Sequence, residues 1–139
     1  FAPTELFTPK EKAQLPLVRR GMYEVGNNPD GGTAYKLIHT AVVPLAVKTG
    51  TAQVVGISQT AKKRMKEADM DYFHRSHAWM TSFGPYDKPQ YAVTVLVEHG
   101  GGGGSAAGPV IMQIYEKLVQ MGYIDANATT IKDNAKKTK

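Results

Sequence analysis

Cysteine is absent from these 139 residues, so no disulfide framework, thiolate zinc site or cysteine nucleophile can be built from them. That absence does not fix the compartment. No apolar run approaches the roughly 20 residues that a membrane-spanning helix needs. The opening Phe1-Ala2-Pro3-Thr4 has no basic segment followed by a long apolar core and does not read as a secretory leader. Any targeting information is expected upstream.

What is present is an ordinary globular balance, 42% apolar and 21% charged, within the size of one domain that can bury a core. Fourteen glycines and eight prolines imply many turns. The formal charge of +5 is largely local. Lys62, Lys63, Arg64, Lys66 and Arg75 face Glu67, Asp69 and Asp71 in one stretch, and Lys132, Lys136, Lys137 and Lys139 crowd the tail. No aromatic-interleaved basic stripe accompanies them, so they read as solvated surface and no nucleic-acid partner is expected.

Thr8-Pro9-Lys10-Glu11 has the form of a capping box with proline at the first helical position. Pro16 interrupts or ends that turn, and Leu17, Val18, Met22 and Val25 supply the apolar face of a second short helix. A breaker cluster over 26–32 follows, then a short helix over 34–40. Residues 45–55, 77–83 and 91–97 read as strands. The third carries apolar residues on both faces and is expected to be covered on both sides. Between the first two strands, the charged stretch 60–68 reads as a helical excursion or loop. The five glycines of 100–104 read as a flexible connection, and Pro109 as the first residue of a last helix that ends at Gly122. Strands and helices are segregated, which predicts an α+β fold with an antiparallel sheet and packed helices.

The sharpest segment is Lys48-Thr49-Gly50-Thr51-Ala52-Gln53. On a strand, Thr49 and Thr51 face one way and Lys48 and Gly50 the other. Two hydroxyls two residues apart can hold a carboxylate. Gly50 leaves room for another backbone or a ligand, and a strand edge can pair with an extended peptide. On spacing alone an ordinary strand with a surface lysine explains the tripeptide at least as well, because lone tripeptides match by chance.

More than the tripeptide agrees with one family. Gly21-Met22, Gly32-Thr33-Ala34 and Lys48-Thr49-Gly50-Thr51-Ala52-Gln53 stand in the order and spacing of class B penicillin-binding proteins. His77-Ala78-Trp79-Met80-Thr81-Ser82-Phe83 leads into Pro85 and Pro89, and Val95-Leu96-Val97-Glu98-His99-Gly100-Gly101 leads through Ala106-Ala107 to Pro109-Val110. Over roughly residues 8–122 the pattern resembles the transpeptidase domain of the elongation-type class B enzymes, the penicillin-binding protein 2 kind. The resemblance implies that residues 1–124 are the C-terminal portion of a penicillin-binding-protein/β-lactamase-like domain. Residues 125–139 are then a polar, lysine-rich, flexible tail.

That resemblance also implies site roles. Lys48 would sit beside the catalytic cavity and serve its proton and charge network. Thr49 and Thr51 would bind the terminal carboxylate of a donor stem peptide or of a β-lactam that mimics it, and the Thr51 backbone N–H would be one oxyanion donor. Gly50, Ala52 and Gln53 would complete the substrate-binding strand. The implied reaction is D,D-transpeptidation through a serine acyl-enzyme, with no metal or organic cofactor. The implied location is the periplasmic face of the inner membrane, with the anchor outside this chain. The implied partners are peptidoglycan stem peptides, β-lactams, the remaining N-terminal part of the domain, an elongation-complex glycosyltransferase and a shape-determining scaffold protein.

The family's Ser-x-x-Lys is missing. Ser58, Ser76, Ser82 and Ser105 have no lysine three residues on, and no Ser-x-Asn occurs. Thr33-Ala34-Tyr35-Lys36 has a matching shape with threonine, but in the family this stretch lies in the helical region before the third motif. The chain is therefore expected to be a fragment that is inactive alone. The alternatives are a cell-division transpeptidase or β-lactamase fragment, or a non-catalytic binding or scaffold module of the same fold. His74 and His77 read as strand-start histidines rather than zinc ligands, for want of a third ligand. Trp79 and Tyr91 read as core or strand packing.

Overall fold

The computed structural model describes residues 4–56 and 65–126. The lysine-rich tail beyond 126 and most of the charged stretch 60–68 lie outside the described residues.

The capping box forms as its sequence predicts. Thr8 Oγ1 accepts the Glu11 N–H at 3.3 Å, while the Glu11 carboxylate accepts the Thr8 N–H at 2.8 Å and its hydroxyl at 2.7 Å. Those donors hold the Glu11 carboxyl below its ordinary value, the Thr8 backbone bond contributing most. The single turn α1, Pro9–Lys12, follows. Helix α2 runs Leu15–Asn27. Pro16 sits in its first turn and so opens the helix instead of ending one, because first-turn N–H groups have no intrahelical partner to lose.

Helix α2 reaches the sheet through Gly26, where a Cβ would lie 3.1 Å from Ile38 Cγ2 and 3.2 Å from Val47 Cγ2. The Asn27 amide ties it down by donating to the carbonyls of Tyr23 and Leu45 at 2.9 and 2.8 Å. Of the apolar face expected on α2, Val25 packs on the core, while Leu17 and Val18 are exposed. The short helix α3 is Tyr35–Ile38.

Three strands form one antiparallel sheet in the order β1-β2-β3: Ala46–Ala52, His77–Gly84 and Tyr91–Val97. Two 3-10 turns, Glu67–Asp69 and Tyr72–His74, lead into β2. The register aligns Val47 with Ser82 and Val93, Thr49 with Met80 and Val95, and Thr51 with Ala78 and Val97. Directly opposed residues share a face, and this one carries the core. Val47 and Met80 pack there with Ala107, Ile111 and Tyr115 of α4, Gly103–Gln120. The other face aligns Lys48 with Thr81 and Thr94, and Gly50 with Trp79 and Leu96. Ala92, Thr94 and Leu96 are exposed on it, so β3 is covered on one side only among the described residues. Trp79, expected in packing, is 40% exposed there.

Helix α4 departs from the sequence reading at its start. It begins at Gly103 and carries Pro109 inside, six residues later than the first position. Proline there removes one N–H bond, to the Ser105 carbonyl. The helix ends as expected, in a Schellman motif. Gly122 takes φ +75°, its N–H bonds the Val119 carbonyl at 3.0 Å, and the Tyr123 N–H bonds the Leu118 carbonyl at 2.9 Å.

Tyr115 anchors the helix to the sheet. Its ring is buried and its hydroxyl donates to the Tyr91 carbonyl at 3.2 Å. Burial raises its phenol above the ordinary value, against a smaller lowering by the Ser82 hydroxyl. A raised folded value favours the protonated form, so this contribution to stability is fully present below about pH 10 and is lost as the pH rises further. Tyr115→Phe strands the Tyr91 carbonyl and is expected to destabilise by about 1–2 kcal/mol. Thermal unfolding at neutral pH checks it, and an unchanged midpoint would show the hydroxyl to be idle.

Candidate functional site: the edge strand and the glycine-led helix

Strand β1 lies at the sheet's edge, bonded to β2 on one side only among the described residues. On it, the structure brings Thr49 and Thr51 together on the core-side face, about 7 Å apart along the strand at 3.3 Å per residue. Thr49 is half-buried and Thr51 exposed. Lys48 projects to the opposite face, as strand alternation requires. Its ammonium is exposed and donates to the Thr49 carbonyl at 2.7 Å. Ala52 closes the strand, and Gln53 follows it; both are exposed.

The start of α4 comes down on this segment. The Gly103 N–H donates to Thr51 Oγ1 at 3.4 Å. A Cβ on Gly103 would stand 2.2 Å from the Gly50 carbonyl oxygen and 2.6 Å from that of Trp79. Neither is a flexible group, so only glycine fits. The backbone that closely approaches Gly50 is therefore that of α4. A Cβ on Gly104 would lie 3.7 Å from Thr49 Cγ2.

The glycine run thus is not a slack connection. The Gly100 N–H bonds the Val97 carbonyl at 3.2 Å, the Gly101 N–H bonds the Ser76 carbonyl at 2.8 Å, and Gly101 takes φ +75°. Sequence reasoning missed Gly103 as a site residue. Five successive glycines carried the signal, since a chain needs glycine where another backbone must come within contact.

This arrangement has a chemical consequence. A hydroxyl that accepts an amide N–H keeps its own proton to donate. Thr51 can therefore donate to an anion while α4 fixes its oxygen. The aligned amides at the head of an 18-residue helix add positive potential beside it.

The remaining candidates are placed elsewhere. Thr33 and Lys36 are exposed, in the loop before α3 and on α3 itself. His74 pairs with Asp71, Nδ1 to carboxylate 3.9 Å, whereas His77 Nδ1 accepts the His99 N–H at 2.9 Å. Among the described residues no three His, Asp or Glu side chains gather as metal ligands. No helix among them is long and apolar enough to cross a membrane. Tyr91 packs against the core, as expected.

Residues 7–116 match the family model of the penicillin binding protein transpeptidase domain. The chain belongs to that family. Within it, the chain is similar to the peptidoglycan D,D-transpeptidase MrdA of Salmonella typhimurium, 36% identical over 73% of this chain. The Escherichia coli K12 MrdA is 39% identical over 74% of it. The chain spans 16% of the length of each of these relatives. Among solved structures, penicillin-binding protein PBP2 of Helicobacter pylori in its complex with MreC superposes with a TM-score of 0.71 at 47% identity, over 85% of this chain and 19% of that one. PBP2 of Pseudomonas aeruginosa in complex with WCK 5153 superposes with a TM-score of 0.61 at 27% identity, over 97% of this chain and 26% of that one. The chain is thus a part of a PBP2-type transpeptidase domain, and its mixed helix and antiparallel-sheet fold is that of the family.

Proposed function

We propose that this chain is the C-terminal portion, residues 1–124, of an elongation-type peptidoglycan D,D-transpeptidase domain, and that β1 forms one wall of its catalytic cleft. The single observation that carries this is the pair of threonines, Thr49 and Thr51, on an edge strand with the head of α4 against Thr51. In this reading the stem peptide pairs along β1 through Gly50, Ala52 and Gln53, and its terminal carboxylate is bound by the Thr49 and Thr51 hydroxyls.

Chemistry belongs to a serine supplied by the upstream part of the domain. That serine attacks the penultimate carbonyl and forms the acyl-enzyme. The Thr51 N–H stabilises the developing oxyanion, D-alanine departs, and an amine of a second stem peptide takes the acyl group. Lys48, on the other face of β1, serves the proton and charge network of the Ser-x-Asn serine once the upstream helices cover that face. β-Lactams enter by mimicking the donor peptide. Placement at the periplasmic face of the inner membrane follows from the same reading. So do a role in cell elongation and shape, a glycosyltransferase partner and an MreC-like scaffold partner. The last is supported by the relative solved in complex with MreC.

Labelling with a fluorescent penicillin tests this. The complete domain is expected to carry one denaturation-resistant label on an upstream serine, and residues 1–139 alone none. A stable label on Thr33 or on any of Ser58, Ser76, Ser82 and Ser105 would overturn the assignment.

A further inference from the structure

Lys48 makes a contact that the roles assigned so far do not use. It stands on the sheet face away from α4, opposite Thr81. The Thr81 hydroxyl is engaged on its far side, 2.9 Å from the hydroxyl of Thr94. The Lys48 ammonium turns the other way and donates to the Thr49 carbonyl at 2.7 Å.

That carbonyl lies on the open edge of the sheet. At the end of β2 the Gly84 carbonyl accepts the Gln90 N–H at 3.0 Å, so it faces β3. The Val93 carbonyl, opposite Ser82, accepts the Ser82 hydroxyl at 3.1 Å and faces back. Peptide groups alternate sides residue by residue along a strand. Those of Ser82, Met80 and Ala78 therefore face β3, and those of Thr81 and Trp79 face β1. Lys48 and Gly50, their register partners, turn theirs to β2. Thr49 and Thr51 are left with theirs on the open edge, where an extended peptide pairs.

The consequence follows from the ladder. Antiparallel pairing repeats every second residue. With the scissile carbonyl of a peptide on the Thr51 N–H, the next peptide residue falls between Thr51 and Thr49. The residue after that would bring its N–H to the Thr49 carbonyl. It meets an ammonium there instead, donor against donor, and its N–H is left unpaired. A peptide that ends one residue past the scissile bond presents a carboxylate at this point. The carboxylate accepts from the ammonium and from the Thr49 and Thr51 hydroxyls alike.

We infer that Lys48 is a chain-end determinant: by capping the Thr49 carbonyl it stops the ladder one residue past the scissile bond, so that β1 takes peptides with a free carboxylate there and rejects chains that continue. The inference rests on the transpeptidase reading for the place of the peptide on β1. An ammonium has three donors, so a contact with the upstream serine is compatible with this one.

Two stem-peptide mimics test it on the complete transpeptidase. One ends in D-alanyl-D-alanine with a free carboxylate. The other continues by one residue and is closed as an amide. NMR titration reads both affinities directly. The wild type is expected to bind the free acid about tenfold more tightly than the continued peptide. Lys48→Met keeps the length of the side chain and removes the donor. It should weaken the free acid about tenfold and strengthen the continued peptide about fivefold, because the Thr49 carbonyl becomes available. Opposite shifts are a signature that a general loss of structure cannot give. Thr49→Val removes a hydroxyl and leaves the carbonyl capped, so it should weaken the free acid with no gain for the continued peptide. Equal or undetectable binding of both peptides by the wild type would overturn the inference. So would a continued peptide that gains nothing from Lys48→Met, or gains as much from Thr49→Val. The fluorescent-penicillin label separates these failures from that of the parent reading. A labelled serine with any of them sinks the inference alone, and a complete domain that takes no label sinks the transpeptidase reading with it.

Discussion

Thr51→Val in the complete transpeptidase is expected to slow acylation by carboxylate-bearing β-lactams by roughly 10- to 150-fold, the rate equivalent of the roughly 1.5–3 kcal/mol of one charge-assisted hydrogen bond. Valine keeps the backbone N–H assigned to the oxyanion and the shape of the side chain. It removes only the hydroxyl. In the structure that hydroxyl accepts the Gly103 N–H, which leaves its own proton available to an anion, the role proposed for it. Thr51→Ser retains both and should recover most of the rate. Deacylation should suffer less, because the carboxylate contact acts mainly before and during attack. Stopped-flow acylation rates for the three proteins decide the matter. An unchanged rate in Thr51→Val would remove Thr51 from carboxylate binding even with the family membership intact.

Gly103→Ala is expected to destabilise the domain by about 3 kcal/mol, large for a single added methyl group. The reason is local. The new Cβ would sit 2.2 Å from one carbonyl oxygen and 2.6 Å from another, so α4 must move away from β1 or the sheet must bend. Either movement breaks the contact with Thr51, and acylation should fall along with stability. Gly21→Ala is the matched control. Gly21 lies inside α2 and is exposed, and a Cβ added there would have nothing within 4 Å. Alanine there should stabilise by about 0.5–1 kcal/mol through helix propensity alone. Urea unfolding of the two variants gives both signs. A Gly103→Ala protein as stable as its parent would show that α4 does not seat against the strand as described.

Much of this was legible along the chain because it depends on neighbours in sequence. The capping box is a pattern three residues long, and Thr8 and Glu11 satisfy each other without outside help. Alternation along β1 put Thr49 and Thr51 on one face and Lys48 on the other before any partner strand was known. Gly122 marked the helix end because a left-handed residue is needed there. The family resemblance over the Lys-Thr-Gly segment was likewise readable, and the match over residues 7–116 agrees with it.

The sequence alone thus determined the kind of fold, the three strands, the end of the last helix and the family. The tertiary structure alone decided where α4 begins and what its glycines are for. By local propensity five glycines disfavour a helix and Pro109 favours starting one. Contact with the carbonyls of Gly50 and Trp79 overrides both, because only a side-chain-free backbone can approach a sheet that closely. The same is true of Trp79 and of the outer side of β3. Their apolar character suggests burial, but which face α4 covers is set by packing between residues far apart in sequence. The pairing of His77 with His99 joins positions 22 apart, and only the antiparallel register of β2 on β3 brings them together.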